Sequence, residues 1–193
     1  MQKITYKSLT KEIIEKELKR EVYKSKYLKV LKSTGLTLIV VVSFAAIIAT
    51  LVMPVLQISG NSMSPTFQNG EIVLSLKKND YKQGDIIAFY HGNKILIKRV
   101  IAKSGDWVDI DKDGNVYVNN KKVEEKYIDN IAYGNTDIKL PYQVPDNKYF
   151  VLGDDRENSI DSRNTQIGSI DKNDIVGKIT LKVWPLTKFK IIN

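Results

Sequence analysis
Apolar and polar positions divide this chain into a helical front and a β-patterned remainder. Leu36–Leu56 is 21 residues without a charge, and no charged residue occurs from Ser33 to Gly70. At 1.5 Å rise per residue such a helix covers roughly 30 Å, the hydrocarbon thickness of a bilayer. A cleaved secretory leader also has a basic front and an apolar core, but its core runs to only about 7–15 residues. Leu36–Leu56 is therefore expected to be a retained anchor, ending near Pro54. Ahead of it, residues 1–32 place Ile13, Ile14, Leu18, Val22 and Tyr23 among charged neighbours. They are expected to form a solvated, partly ordered tail, with a helix lying on anionic headgroups as the alternative.

Beyond Ile58 the period shortens. Glu71–Leu76, Asp85–Tyr90 and Lys94–Ala102 are short runs rich in Ile, Val and Leu, separated by turn residues. Trp107–Ile110 and Val116–Asn119 flank Asp111-Lys112-Asp113-Gly114-Asn115, a hairpin signal. Residues 121–147 are polar and loop-rich, and strand character returns at Tyr149–Leu152, Asp174–Ile179 and Leu181–Trp184. The pattern predicts a mainly antiparallel β domain over 57–193, with 107–147 as a small β excursion, behind one N-terminal transmembrane helix at 33–56.

Charge supplies the topology. Residues 1–32 carry ten Lys/Arg against four Glu, so six of the chain's eight net positive charges lie beside the apolar run. A nucleic-acid binder would carry them on its folded domain, and no nucleic-acid partner is expected. The positive-inside rule puts residues 1–32 in the cytoplasm and the β domain outside the cell membrane.

The chain has no cysteine and one histidine, His91. Disulfides, thiolate chemistry and a two-histidine metal site are thereby excluded, and no metal or cofactor is expected. Few ways of activating a serine remain, and a serine hydroxyl needs a positioned base. The stretch Ser62-Met63-Ser64-Pro65-Thr66-Phe67, just past the apolar run, reads either as an ordinary turn or as the setting of a nucleophile. Lys98 shares a strand face with Leu96, Val100 and Ala102, while Arg99 faces the other way with Ile97 and Ile101. If that face is solvated, Lys98 is an ordinary edge-strand lysine. If it is buried, the ammonium is desolvated and its pKa falls toward the range a general base needs. A Ser–Lys pair is the serine arrangement this composition leaves open. A third stretch, Gly153-Asp154-Asp155-Arg156 through Ser159-Ile160-Asp161-Ser162-Arg163, is dense in charged and small groups and reads by itself as a hydrophilic loop.

Taken in order, the anchor, Ser62-Met63-Ser64-Pro65-Thr66, Gly84-Asp85-Ile86-Ile87-Ala88-Phe89, Lys98-Arg99-Val100-Ile101 with Gly105-Asp106, and the Gly153–Arg163 stretch resemble the bacterial type I signal peptidases over nearly the whole chain. The resemblance implies a membrane-anchored serine endopeptidase that removes leader peptides from exported preproteins after small residues at −1 and −3. It implies Ser62 as nucleophile and Lys98 as general base, with Ser159 orienting the lysine amine. Asp161 and Arg163 would pair to support that loop, and Gly153 would permit close backbone packing near the lysine. Met63 stands beside the nucleophile. Ile58, Phe67, Leu96 and Ile97 fall where the family lines its shallow substrate pockets, and the leader would bind as an added strand. Partners would be exported preproteins and the lipid bilayer.

Four positions depart from the family pattern. Gly60 stands where some members carry a serine whose hydroxyl helps bind the oxyanion, leaving the Ser62 backbone N–H as the expected donor. Ala102-Lys103-Ser104 replaces a common Gly-Leu-Pro, Asp155 a usual Asn, and Phe67 a usual Leu. Two rivals remain at this level: a self-cleaving Ser–Lys regulator of the same fold, and a membrane-anchored binding module without catalysis.

Overall fold
The computed structural model describes residues 11–192. The front of the chain is one helix, α1 (Lys11–Val52), of 42 residues. Its described side chains, 13–47, are all exposed, and its apolar part reaches a mean hydropathy of 2.0 over a membrane-length window. The backbone therefore makes no break between the basic and apolar segments: residues 11–32 are helical, and the first ten residues of the expected tail lie outside the described residues. The helix also stops sooner than the uncharged run. Pro54 cannot donate to a helical carbonyl, and β1 (Val55–Gln57) pairs with β2 (Ile72–Leu76) through Val55–Leu74 and Gln57–Ile72. Leu56, expected at the end of the anchor, is thus a strand residue of the β domain.

The β domain continues with β3 (Ile86–His91), β4 (Lys94–Lys103), β5 (Trp107–Ile110), β6 (Val116–Val118), β7 (Lys121–Lys122), β8 (Tyr142–Gln143), β9 (Lys148–Leu152), β10 (Ile170–Asp171), β11 (Ile175–Trp184) and β12 (Lys190–Ile191). One antiparallel sheet runs β1-β2-β11-β3-β4-β9-β10, with β12 on β11; a second runs β7-β6-β5-β8. The expected excursion over 107–147 is this second sheet with its connections. The two separate runs expected at 174–184 form one strand, shifted in register around Thr180 and Val183 against β2 and around Val176 against β3.

Three apolar clusters hold the domain. Ile87, Phe89, Val100, Tyr149 and Val151 form one; Ile101, Ala102, Val108, Phe150 and Leu152 a second; Met63, Phe67, Val73, Ile86 and Ile179 a third. The central strand β4 feeds all three layers, so it is buried on both faces from Lys98 to Ala102. A register shift between Val100 and Ala102 against β9 puts Ile101 and Ala102 in the same cluster. Ala102 therefore leaves the face it was expected to share with Lys98, because a bulge interrupts simple alternation.

Candidate active site
Ser62 lies on the loop joining β1 to β2. The loop is closed at its base by Ile58 N–H donating to the Glu71 carbonyl (2.8 Å) and Gly70 N–H to the Ile58 carbonyl (2.9 Å). Around the serine, Ser64 N–H donates to Asn61 O and Phe67 N–H to Met63 O, each at 2.8 Å. Met63 and Phe67 sink into the third cluster and pin this turn to the sheet. Gly60 takes φ +88°, a left-handed backbone that glycine adopts without strain; its N–H donates to Asn69 Oδ1 (3.0 Å). The Ser62 N–H has no hydrogen-bond partner among the described residues.

Lys98 reaches Ser62 from the middle of β4. Its Nζ donates to Ser62 Oγ at 2.8 Å and to Ser159 Oγ at 2.9 Å, and the residue is only 3% exposed. Burial of the ammonium pushes its pKa below the ordinary lysine value; the Asp161 charge opposes that shift and the Arg163 charge adds to it. Of the two sequence-level alternatives for Lys98, the buried one holds.

Ser159 is held by the loop after β9. Asp161 accepts from Arg163 Nε (2.8 Å) and Nη2 (2.9 Å) in a bidentate, fully buried pair, and from Gly153 N–H (2.9 Å). A Cβ on Gly153 would fall on Ser159 Oγ and stand 2.6 Å from the Ser62 carbonyl. The expected close approach at Gly153 is thus present, and it joins the loop of Ser62 to the loop of Ser159.

Behind this layer lies an ionic network to which the sequence reading gave no role. Arg99, neighbour of Lys98, donates to Asp154 through Nε (2.8 Å) and Nη2 (2.6 Å), and its guanidinium sits 3.8 Å from the Tyr127 ring centroid. Asp154 also accepts from the Thr66 hydroxyl on the nucleophile loop. Arg156 pairs with Glu125, which accepts from Tyr127 Oη (2.8 Å). Arg163 extends to the carbonyls of Tyr133 and Arg156, each at 2.9 Å. Asp154 and Arg156 stood inside a motif already singled out, but nothing in the polar run 121–147 marked Glu125 or Tyr127.

Ile58, Met63, Leu96 and Ile97 line a cavity of about 90 Å³ with Ser62 and Lys98. Phe67 does not: it is wholly buried in the third cluster beneath the turn, because its N–H closes the turn at Met63 and its ring points into the sheet. A larger cleft of about 510 Å³ opens on the same two side chains. The edge of β4 beside them is open. β4 pairs with β3 from Lys94 to Arg99, and with β9 only from Arg99 onward. Among the described residues no group of His, Cys, Asp or Glu is arranged to hold a metal ion. Chemically, the arrangement offers a desolvated amine in contact with an activatable hydroxyl, next to a free N–H and an unpaired strand edge.

Sequence comparison matches residues 31–184 to the family described as signal peptidase, peptidase S26. Signal peptidase I of Bacillus amyloliquefaciens is 34% identical over 164 residues, spanning 79% of this chain and 88% of its own. Signal peptidase IB of Staphylococcus aureus is 38% identical over 154 residues, 69% of this chain and 78% of that protein. A solved signal peptidase I from Enterococcus faecalis is 28% identical, with a TM-score of 0.46, covering 54% of this chain and all of the solved one.

Proposed function
The chain belongs to the signal peptidase family, peptidase S26, and from that premise we propose that Ser62 and Lys98 are the nucleophile and general base with which it removes signal peptides from exported proteins. The observation that carries the assignment is the 2.8 Å contact between Lys98 Nζ and Ser62 Oγ, made by a buried lysine. Burial disfavours the ammonium, so the amine has a free lone pair at a pH where an exposed lysine would not.

In the reaction, Lys98 takes the Ser62 proton as Oγ attacks the carbonyl carbon of the −1 residue. The Ser62 N–H donates to the oxyanion that forms. The lysine then returns the proton to the departing amine, leaving an acyl-enzyme ester. A water molecule, deprotonated by the same amine, attacks the ester; the ammonium returns that proton to Ser62 Oγ as the leader leaves with a free carboxyl group. Ser159 keeps the amine aimed, and the Asp161–Arg163 pair and Gly153 hold Ser159 where it can do so.

The leader enters as an added strand. The cavity with Ile58, Met63, Leu96 and Ile97 lies between the β1 end and the unpaired Lys94–Lys98 edge, an arrangement that supplies backbone hydrogen bonds and pockets for alternate side chains. A cavity of about 90 Å³ suits small residues at −1 and −3. The apolar part of α1 anchors the protein in the cell membrane, with the basic residues 1–32 on the cytoplasmic side and the β domain outside. Partners are the exported preproteins and the lipid bilayer.

The experiment is cleavage of a leader-bearing precursor by the full chain in detergent. Ser62→Ala and Lys98→Ala are expected to lose at least about 10²-fold in kcat/KM, the lower bound for removing a general base. Wild-type cleavage rates in either folded variant would overturn the assignment.

A further inference from the structure
The cleft at Ser62 has a charged far end that the proposed dyad and its pocket do not use. From Ser62 and Lys98 it runs to His91 and Lys94, which are cross-strand partners at the tip of the β3–β4 hairpin. Both side chains are exposed, and neither has an ion-pair partner among the described residues. The acidic residue of the cleft, Asp155, belongs to the opposite end, where its N–H donates to the Ser62 carbonyl (3.1 Å). The positive charge of Lys94 is therefore local to the hairpin tip, with the His91 ring beside it.

Strand geometry fixes what would meet it. Lys94, Leu96 and Lys98 share a face of β4, and at about 3.3 Å per residue Lys94 stands about 13 Å from Lys98. Leu96, between them, lines both the small pocket and the larger cleft. Along Lys94–Lys98 the outer edge of β4 has no strand partner. A bound strand with its −1 residue at Lys98 and its −3 residue at Leu96 brings its −5 side chain to Lys94.

We propose that His91 and Lys94 form a further specificity site, which favours substrates with a carboxylate side chain at −5 and disfavours those with a cation there. This rests on the peptidase reading above and extends it to a part of the leader that the small pocket does not touch. The pairing is solvent-exposed, so each charge reversal is expected to change relative rates by about two- to fivefold.

The test uses the full chain in detergent and three peptides identical except for Glu, Gln or Lys at −5, mixed and cut in competition. The ratio of kcat/KM values within one enzyme preparation is independent of the fraction that is active. The wild type is expected to cut Glu before Gln before Lys. Lys94→Glu is expected to reverse the order, and His91→Gln to narrow it. Raising salt toward 1 M, where screening acts within about 3 Å, should bring the wild-type ratios toward one. Cleavage of all three peptides with one ratio in wild type and Lys94→Glu overturns the specificity site and leaves the peptidase reading intact. A wild type that cuts none of them overturns both.

Discussion
Gly153→Ala tests the coupling between the two loops that meet at Lys98. The added Cβ would land on Ser159 Oγ and lie 2.6 Å from the Ser62 carbonyl oxygen. Ordinary contact begins at 3.4 Å, so the nucleophile's own backbone must withdraw by about 0.8 Å or the strand must yield. Neither neighbour is a flexible side-chain end: the Ser62 carbonyl accepts the Asp155 N–H (3.1 Å), and Ser159 Oγ is one of the two partners of Lys98 Nζ. Overpacking of this kind costs about 1–3 kcal/mol, and a displacement near 1 Å at reacting groups costs about 10²-fold in rate. Thermal unfolding and kcat/KM on a leader peptide, measured on the same preparation, separate the two effects. The expected variant folds, melts several degrees lower and cleaves about 10²-fold more slowly. Wild-type kcat/KM together with an unchanged melting temperature would show that Gly153 is not a point of contact between the loops.

Other consequences concern charge and the pocket. Because burial lowers the Lys98 pKa, kcat/KM should rise tenfold per pH unit below that pKa and level off above it, below the ordinary value of about 10.4; a rise continuing past that value would mean a solvated lysine. The folded state binds this proton less readily than the unfolded chain, so the stability penalty of Lys98 is full below its folded pKa and fades as pH climbs toward about 10.4. Lys98→Met should accordingly gain most over wild type at low pH, as read from denaturant midpoints across pH. Asp154→Asn leaves the buried Arg99 guanidinium without its carboxylate, and breaking such a pair is expected to cost about 3–5 kcal/mol in urea unfolding. Phe67→Leu, in the core and off the pocket wall, should lower stability while leaving the preference among −1 residues unchanged; an altered −1 profile would put the ring back in the site.

The sheet strands were legible because their apolar runs are short and bounded by turn residues, and the anchor helix because the 21 residues Leu36–Leu56 carry no charge. What alternation could not show was β4. A strand covered on both faces has no solvent side, so the pattern that put Lys98 and Arg99 on opposite faces could not say that both are buried. The bulge after Val100 then moved Ala102 to another layer. Leu56 reads as anchor by hydropathy and is strand because β2 offers it a hydrogen-bonding partner. At the site, Ser62, Lys98, Ser159, Asp161, Arg163 and Gly153 converge as the ordered motifs implied. Phe67 went astray because adjacency to a nucleophile in sequence says nothing of whether a ring points outward or into the sheet. Glu125 and Tyr127 left no trace, since a carboxylate in a polar loop looks solvated until its arginine is known.

The segment between β7 and β8 has the least regular backbone in the domain, yet it supplies Glu125 to Arg156, the Tyr127 ring to Arg99 and the Tyr133 carbonyl to Arg163. Shortening it would leave the buried Arg156 without its carboxylate, and would take the Tyr127 ring from Arg99 and the Tyr133 carbonyl from Arg163. What looks on paper like expendable filler is a clasp on three buried arginines, and an engineer seeking a smaller enzyme would do better to trim elsewhere.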